Sequence, residues 1–327
     1  VADLMNLATG YWPAAALSAA VDLGLFEALS AGARSPAEAA ERCGASPDFT
    51  ADLMDALASV GLLRREGGGY GFDPGAARFL DPASPACMLE ALRMNLDLYP
   101  LWGRLSATVR EGRPALPPGA HLGNDPARTR RFVLAMHGRA LGMAAEMLPA
   151  LDPGPDVATL LDVGAGPGTF SRLLAENRPG LRVTHLDLPP VQAIARELAA
   201  SSRAADRIDY RPGDYRAADY GGPYDAVLYC GALHQENRES ALGVFGRIHG
   251  ALRPGGVVRV VDLMREPGRA APAFACLFSL TMRLTSPFGR VFDAGDVAAM
   301  LLEAGFASPQ VRPIQGIPYH CVLAMRP

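Results

Sequence analysis

Apolar and polar positions follow two different rhythms along this chain, and the change falls near residue 155. Before it, apolar residues recur at helical spacing. Residues 1–30 predict two helices, the second bringing Ala20, Leu23, Gly24 and Leu25 toward Phe26 and Leu29. Between Ser35 and Leu80 the rhythm is that of a winged helix. Ser35-Pro36 starts one helix, Ser46-Pro47 another, and Gly61-Leu62-Leu63 leads to a short hairpin around Gly67-Gly68-Gly69. From Cys87 to Leu151 the pattern is again helical, with proline interruptions chiefly at Pro114–Pro118. Pro153-Gly154-Pro155 then breaks the chain. Beyond it strands and helices alternate, with strands expected at Thr159–Val163, Arg182–Leu186, Ile208–Arg211, Ala226–Tyr229, Val257–Asp262 and Tyr319–Met325. Such alternation predicts an α/β fold with a mostly parallel, doubly wound sheet. The expected division is a winged-helix domain at 1–85, connecting and pocket helices at 86–154, and the sheet domain at 155–327.

The stretch with the most chemical content is Leu160–Ser171, LLDVGAGPGTFS, where an apolar run stops at Asp162 and gives way to Gly164, Gly166 and Gly168. A strand running into glycines and then an amphipathic segment puts bare backbone where a nucleotide-type ligand can approach closely. What is missing narrows the ligand. Three residues after Gly166 stands Thr169, which departs from the dinucleotide fingerprint. All 31 basic residues are arginine, so neither a P-loop lysine nor a Schiff-base lysine exists. Three acids fall at the carboxyl ends of successive strands, where open α/β sheets bind ligands: Asp162, Asp187 and Asp214. Asp187 is placed to accept both hydroxyls of a ribose, and Asp214 the amino group of an adenine, with Tyr215 able to stack on the ring.

Composition excludes more than it identifies. A net charge of −3 offers no basic footprint for nucleic acid or an anionic membrane. The second helix of the winged-helix stretch carries Asp48, Asp52 and Asp55 with no basic residue, which would repel phosphate and argues against a DNA-binding regulator. Five cysteines, an odd number without a Cys-x-x-Cys pair, read as free thiols of a reducing compartment. No His/Asp/Cys cluster has metal-ligand spacing, so no metal is expected. No apolar run is long enough to span a bilayer. The apolar patch Tyr11–Val21 lacks the basic flank of a signal peptide, and the expected location is cytoplasmic. Heavy use of Ala, Arg, Gly and Pro without lysine fits a GC-rich bacterial genome.

The D-x-G-x-G-x-G form at Asp162–Gly168 resembles motif I of class I S-adenosylmethionine-dependent methyltransferases. A further stretch is more specific: Tyr229-Cys230-Gly231-Ala232-Leu233-His234-Gln235-Glu236, followed by Leu252-Arg253-Pro254-Gly255-Gly256. With Asp187-Leu188-Pro189, Gly213-Asp214, Gly10-Tyr11-Trp12 and Ala20–Gly24, it is similar to the O-methyltransferases of the caffeate, acetylserotonin and hydroxyneurosporene type over nearly the whole chain. The resemblance implies a winged-helix dimerisation domain joined to a Rossmann-like methyltransferase domain, working as a homodimer with exchanged N-terminal segments. It implies S-adenosylmethionine as cofactor and S-adenosylhomocysteine as product. The cofactor contacts expected are Asp162, at the amino end of the methionine moiety, with Gly164, Gly166, Gly168, Asp187, Leu188, Gly213, Asp214, Tyr215 and Tyr229. His234 falls where the family carries its general base and Asp262 where it carries an acid orienting that base. A second orienting acid would fall near Val291, and Cys230 replaces the family's lysine. The substrate pocket is expected from Trp102, Phe132, Met136, His137 and Met282. The activity implied is O-methylation of a hydroxyl on a small, aromatic secondary metabolite. The alternatives are C-methylation of an enolisable or activated carbon, or a non-methylating relative that keeps the cofactor.

Overall fold

The computed structural model describes residues 2–116 and 125–327, and the chain divides into two compact units, Val1–Tyr99 and Pro100–Pro327. The first unit opens with three helices where two were expected: α1 (Ala2–Thr9), α2 (Trp12–Asp22) and α3 (Leu25–Ser30). The extra breaks have local causes. Pro13 sits in the first turn of α2, where its missing N–H costs nothing, and Gly24 turns the chain between α2 and α3 at φ +72°. The helix α4 (Pro36–Cys43) starts with a capping box, Ser35 Oγ accepting from the Glu38 N–H and Glu38 Oε2 from the Ser35 N–H. A cap of this kind stabilises a helix by about 1 kcal/mol. Next come α5 (Pro47–Ser59) and the hairpin of β1 (Leu63–Glu66) with β2 (Gly69–Phe72), the elements that read as a winged helix. Asp48, Asp52 and Asp55 all lie exposed on α5. Two more helices, α6 (Pro74–Leu80) and α7 (Leu89–Leu96), give Leu80 and Leu89 to a core of Phe26, Met54, Leu57 and Leu63. The stretch 86–154 is thus shared, α7 packing in the first unit and the following helices belonging to the second.

After the single turn α8 (Tyr99–Trp102), the second unit has α9 (Leu105–Glu111), α10 (Pro126–Gly142) and α11 (Ala144–Leu151) before its sheet. Pro117 and Pro118 of the expected proline break lie outside the described residues. The sheet is built from β3 (Thr159–Val163), α12 (Thr169–Asn177), β4 (Arg182–Asp187), α13 (Pro189–Ala199), β5 (Ile208–Pro212), β6 (Tyr224–Cys230), α14 (Arg238–Ala251), β7 (Leu252–Leu263), α15 (Ala273–Thr285), α16 (Ala294–Glu303), β8 (Ala307–Pro313) and β9 (Tyr319–Met325). Its order is β5-β4-β3-β6-β7-β9-β8, the first five parallel and β9 antiparallel to both neighbours. Successive residues of one strand face opposite sides. Leu161 and Val163 join Tyr229, Phe245 and Val260 on one face, while Leu160 joins Leu174, Leu228 and Met147 on the other. Covering both faces is what makes the parallel strands near-continuously apolar.

Two strand expectations need correction. The strand β8 was not anticipated, because Ala-Ser-Pro-Gln-Val-Arg-Pro carries two prolines; it lies at the sheet edge, where a missing N–H is tolerated. The Pro254-Gly255-Gly256 turn expected before the fifth strand lies inside β7, and its irregularity appears as a register shift opposite Tyr224 and Ala226.

Candidate active site

From β3 the chain first builds outward to β4 and β5, then returns to the other side for β6 and β7, leaving a crevice at the carboxyl ends of the strands. The site grows from that edge. Gly164, Gly166 and Gly168 all take left-handed backbone, at φ +64°, +57° and +65°, and the outer two are also closely packed. A Cβ on Gly164 would meet the Tyr215 ring at 3.3 Å and Ala232 Cβ at 3.2 Å; one on Gly168 would come within 2.8 Å of His185 Cδ2. A Cβ on Gly166 would meet nothing within 4 Å, so this peptide faces open space.

Asp187 holds that loop. Its Oδ2 accepts from the Gly166 N–H at 2.7 Å and its Oδ1 from the Leu188 N–H at 2.7 Å, so each oxygen keeps a free lone pair. Burial, helped by the Asp214 charge, pushes its pKa up to about 6 against the pull of those two amides. Asp162 is also buried, and this pushes it up to about 7; the Ser171 hydroxyl opposes the shift and the Asp187 charge adds to it. Neither carboxyl has an ion pair among the described residues. Behind the loop, His185 Nε2 donates to the Gly166 carbonyl at 2.9 Å, and burial drops its pKa to about 4, so the ring stays neutral. Gln192 Nε2 donates to the carbonyls of His185 and Arg211, tying β4 to β5.

Beyond β6 a 3-10 turn, Leu233–Gln235, presents His234. Asp262, almost fully buried near the end of β7, grips this residue twice, through Nδ1 to Oδ1 at 2.8 Å and through the His234 N–H to Oδ2 at 3.1 Å. The Phe278 ring stands edge-on to the imidazole with centroids 5.1 Å apart, and Phe274 stacks on Phe278. Arg290 N–H donates to the His234 carbonyl, and a Cβ on Gly289 would touch Met282 Cβ at 3.3 Å, which puts Met282 beside the same turn. Val291, at the place of the second orienting acid, is buried and apolar.

The remaining expected residues are distributed unevenly. His137 on α10 reaches the glycine loop, its Nδ1 2.8 Å from Thr169 Oγ1 at the start of α12. Met136 precedes it half-buried, and Trp102 is half-buried on α8. Phe132 packs instead beside Val133, Val191, Ile194 and Leu188 under α13. Asp214 is exposed, its Oδ1 accepting from the Arg216 N–H, and follows Gly213, whose Cβ would strike Ala218 at 2.8 Å. Tyr229 lies one layer back, fully buried and edge-to-face with Tyr215 and Phe245. Residues that the sequence reading did not single out are His185, Gln192, Glu236 and Phe278. Only Phe278 left a signal, one helical turn before Met282 on an apolar segment.

Residues 102–307 match the O-methyltransferase domain, and residues 5–82 the O-methyltransferase dimerisation domain. The chain belongs to the O-methyltransferase family. Similar proteins include the tetracenomycin polyketide synthesis 8-O-methyl transferase of Streptomyces glaucescens, 32% identical over 96% of this chain and 94% of that protein. Acetylserotonin O-methyltransferase of Mus musculus is also 32% identical, over 99% of this chain and 88% of its own. Among solved structures, human N-acetylserotonin methyltransferase in complex with S-adenosylmethionine superposes with a TM-score of 0.88 at 25% identity, covering 99% of this chain and 96% of that one. This O-methyltransferase is an enzyme dependent on S-adenosylmethionine, and the open side of Gly166, with the buried carboxyl of Asp187 on its N–H and the buried carboxyl of Asp162 within electrostatic reach of Asp187, fits that cationic cofactor. Among the described residues no helix is long and apolar enough to cross a membrane.

Proposed function

We propose that the enzyme methylates a hydroxyl of a small aromatic secondary metabolite, with His234 as general base. The observation that carries this reading is the His234–Asp262 pair. A carboxylate on Nδ1 keeps the proton there and leaves the Nε2 lone pair for a substrate hydroxyl; it also stabilises the imidazolium once the proton is taken. The second grip of Asp262, on the His234 N–H, fixes the turn as well as the ring, so one acid supplies both restraints while Val291 supplies none. When bound, S-adenosylmethionine supplies an electrophilic methyl group on a sulfonium sulfur. Asp162, Gly164, Gly166, Gly168, Asp187, Leu188, Gly213, Asp214 and Tyr215 would hold it, Asp162 at the amino end and Asp187 at the ribose.

The relatives named above O-methylate a tetracenomycin polyketide and acetylserotonin. The edge-on Phe278 beside His234, continued by Phe274, supports a planar acceptor lying along this wall, with Met282 at its margin. The expected division at residues 85 and 154 is kept as a functional one: dimerisation, pocket helices, cofactor domain. The exposed side chains of Leu4, Met5, Leu7, Tyr11 and Trp12 support a homodimer in which the N-terminal helices exchange. The test is His234→Ala. Affinity for S-adenosylhomocysteine should be unchanged while kcat falls by about 10²- to 10⁴-fold, the usual contribution of a general base. Asp262→Asn should act in the same direction but less. Full activity of His234→Ala at every pH would overturn the assignment.

A further inference from the structure

Two residues after His234, Glu236 is almost fully buried, and a carboxylate in that position needs partners. It has three. The Tyr215 hydroxyl donates to Oε1 at 2.6 Å, Arg216 Nη2 lies 2.7 Å from the same oxygen, and Arg216 Nε lies 2.9 Å and 3.1 Å from the two oxygens. Both partners come from the loop after β5, the loop that carries Asp214. Further bonds stiffen it: Asp214 Oδ1 accepts from the Arg216 N–H, and the Tyr220 hydroxyl donates to the Tyr215 carbonyl at 2.7 Å. The Tyr215 ring in turn lies against Gly164, whose absent Cβ would meet it and Ala232 of the His234 loop. Three loops therefore converge on one contact: the glycine loop, the loop after β5 and the loop carrying His234.

We propose that Glu236 is a positioning residue that clamps the Asp214–Arg216 loop to the His234 turn and so preforms the adenosine side of the cofactor site. It touches neither the reacting atoms nor, on this reading, the cofactor. It acts through Tyr215, whose pinned hydroxyl sets the ring over the glycine loop, and through Arg216, whose guanidinium neutralises the buried charge. The proposal rests on the cofactor and not on His234 being the base. Its readout is therefore cofactor affinity, which His234→Ala should leave unchanged.

The experiment is calorimetric titration of the purified full chain with S-adenosylhomocysteine and with 5′-methylthioadenosine, which lacks the amino-acid end. Glu236→Gln keeps volume but loses the charge, Glu236→Ala removes the clamp, and Tyr215→Phe removes one hydroxyl while leaving the ring. Each variant is first shown to be folded by its ligand-free melting curve. Glu236→Ala and Tyr215→Phe should each weaken both ligands by about tenfold or more, the scale of a lost charge-assisted hydrogen bond, with Glu236→Gln between them and the wild type. The double variant should be no worse than Glu236→Ala alone, because the hydroxyl acts only through the carboxylate. A purely structural role would lower the melting temperature and leave the affinity of the folded protein intact. Unchanged affinity, or losses that add in the double variant, would overturn the proposal. Should Glu236→Ala fail to fold, Glu236→Gln and Tyr215→Phe decide it alone, since equal affinity to wild type in both leaves no clamp to explain.

Discussion

If Asp162 and Asp187 receive the cofactor as proposed, its binding by this O-methyltransferase should be steeply pH-dependent. In the free protein their pKa values stand at about 7 and about 6, against 3.8 for an ordinary aspartate. To receive an ammonium and two ribose hydroxyls, both must be ionised. Each then weakens the apparent affinity by the factor 1 + 10^(pKa − pH). At pH 5 this is about 100 for Asp162 and about 10 for Asp187, whereas at pH 7 the two together give about 2. Between pH 7 and pH 5 the affinity for S-adenosylmethionine should fall about 500-fold, or about 4 kcal/mol. The amino group of the ligand, with a pKa near 7.7–8.0, stays protonated throughout this window. Stability of the free protein moves the other way. The folded state holds more protons than the unfolded, so the contribution of these carboxyls is fully present below about 4 and is lost as pH rises through about 6 and then about 7.

Calorimetry in two buffers of different ionisation enthalpy counts the protons directly. At pH 6.5, Asp162 should release about three-quarters of a proton on binding and Asp187 about a quarter, about one in total. Asp162→Asn should bind more weakly at pH 7, release only about a quarter of a proton, and lose only about tenfold between pH 7 and pH 5. A flat affinity across that range with no proton release would refute the placement of both carboxyls against the cofactor.

Gly168→Ala should destabilise the fold by about 1–3 kcal/mol in chemical denaturation, because the new Cβ is both at positive φ and 2.8 Å from His185 Cδ2. Replacing Leu4, Leu7 and Trp12 together by Asp should shift the protein from dimer to monomer in light scattering, and a dimer of unchanged affinity would exclude these side chains from the interface.

What the sequence revealed and what it hid divide along a physical line. The glycine loop was legible because positive φ restricts which residue can stand there, and Asp162, Asp187 and Asp262 because strand ends announce themselves by loss of apolar pattern. His185 was not, since a histidine inside a strand looks the same whether it faces solvent or, as here, props the Gly166 carbonyl. The edge strand β8 was hidden by its own prolines. Glu236 was hidden for a different reason: its nearest partners stand 20 and 21 residues earlier, on another loop, and no local pattern encodes such a pairing. In the sequence, Val291 at the place of a second orienting acid reads as the loss of one support. Among the described residues no acid takes its place beside the imidazole, but the turn bearing His234 carries the buried Glu236 carboxylate, which joins it to the loop after β5. Asp262 holds both the ring and the backbone N–H of His234, and two residues on Glu236 ties the same turn to Tyr215 and Arg216.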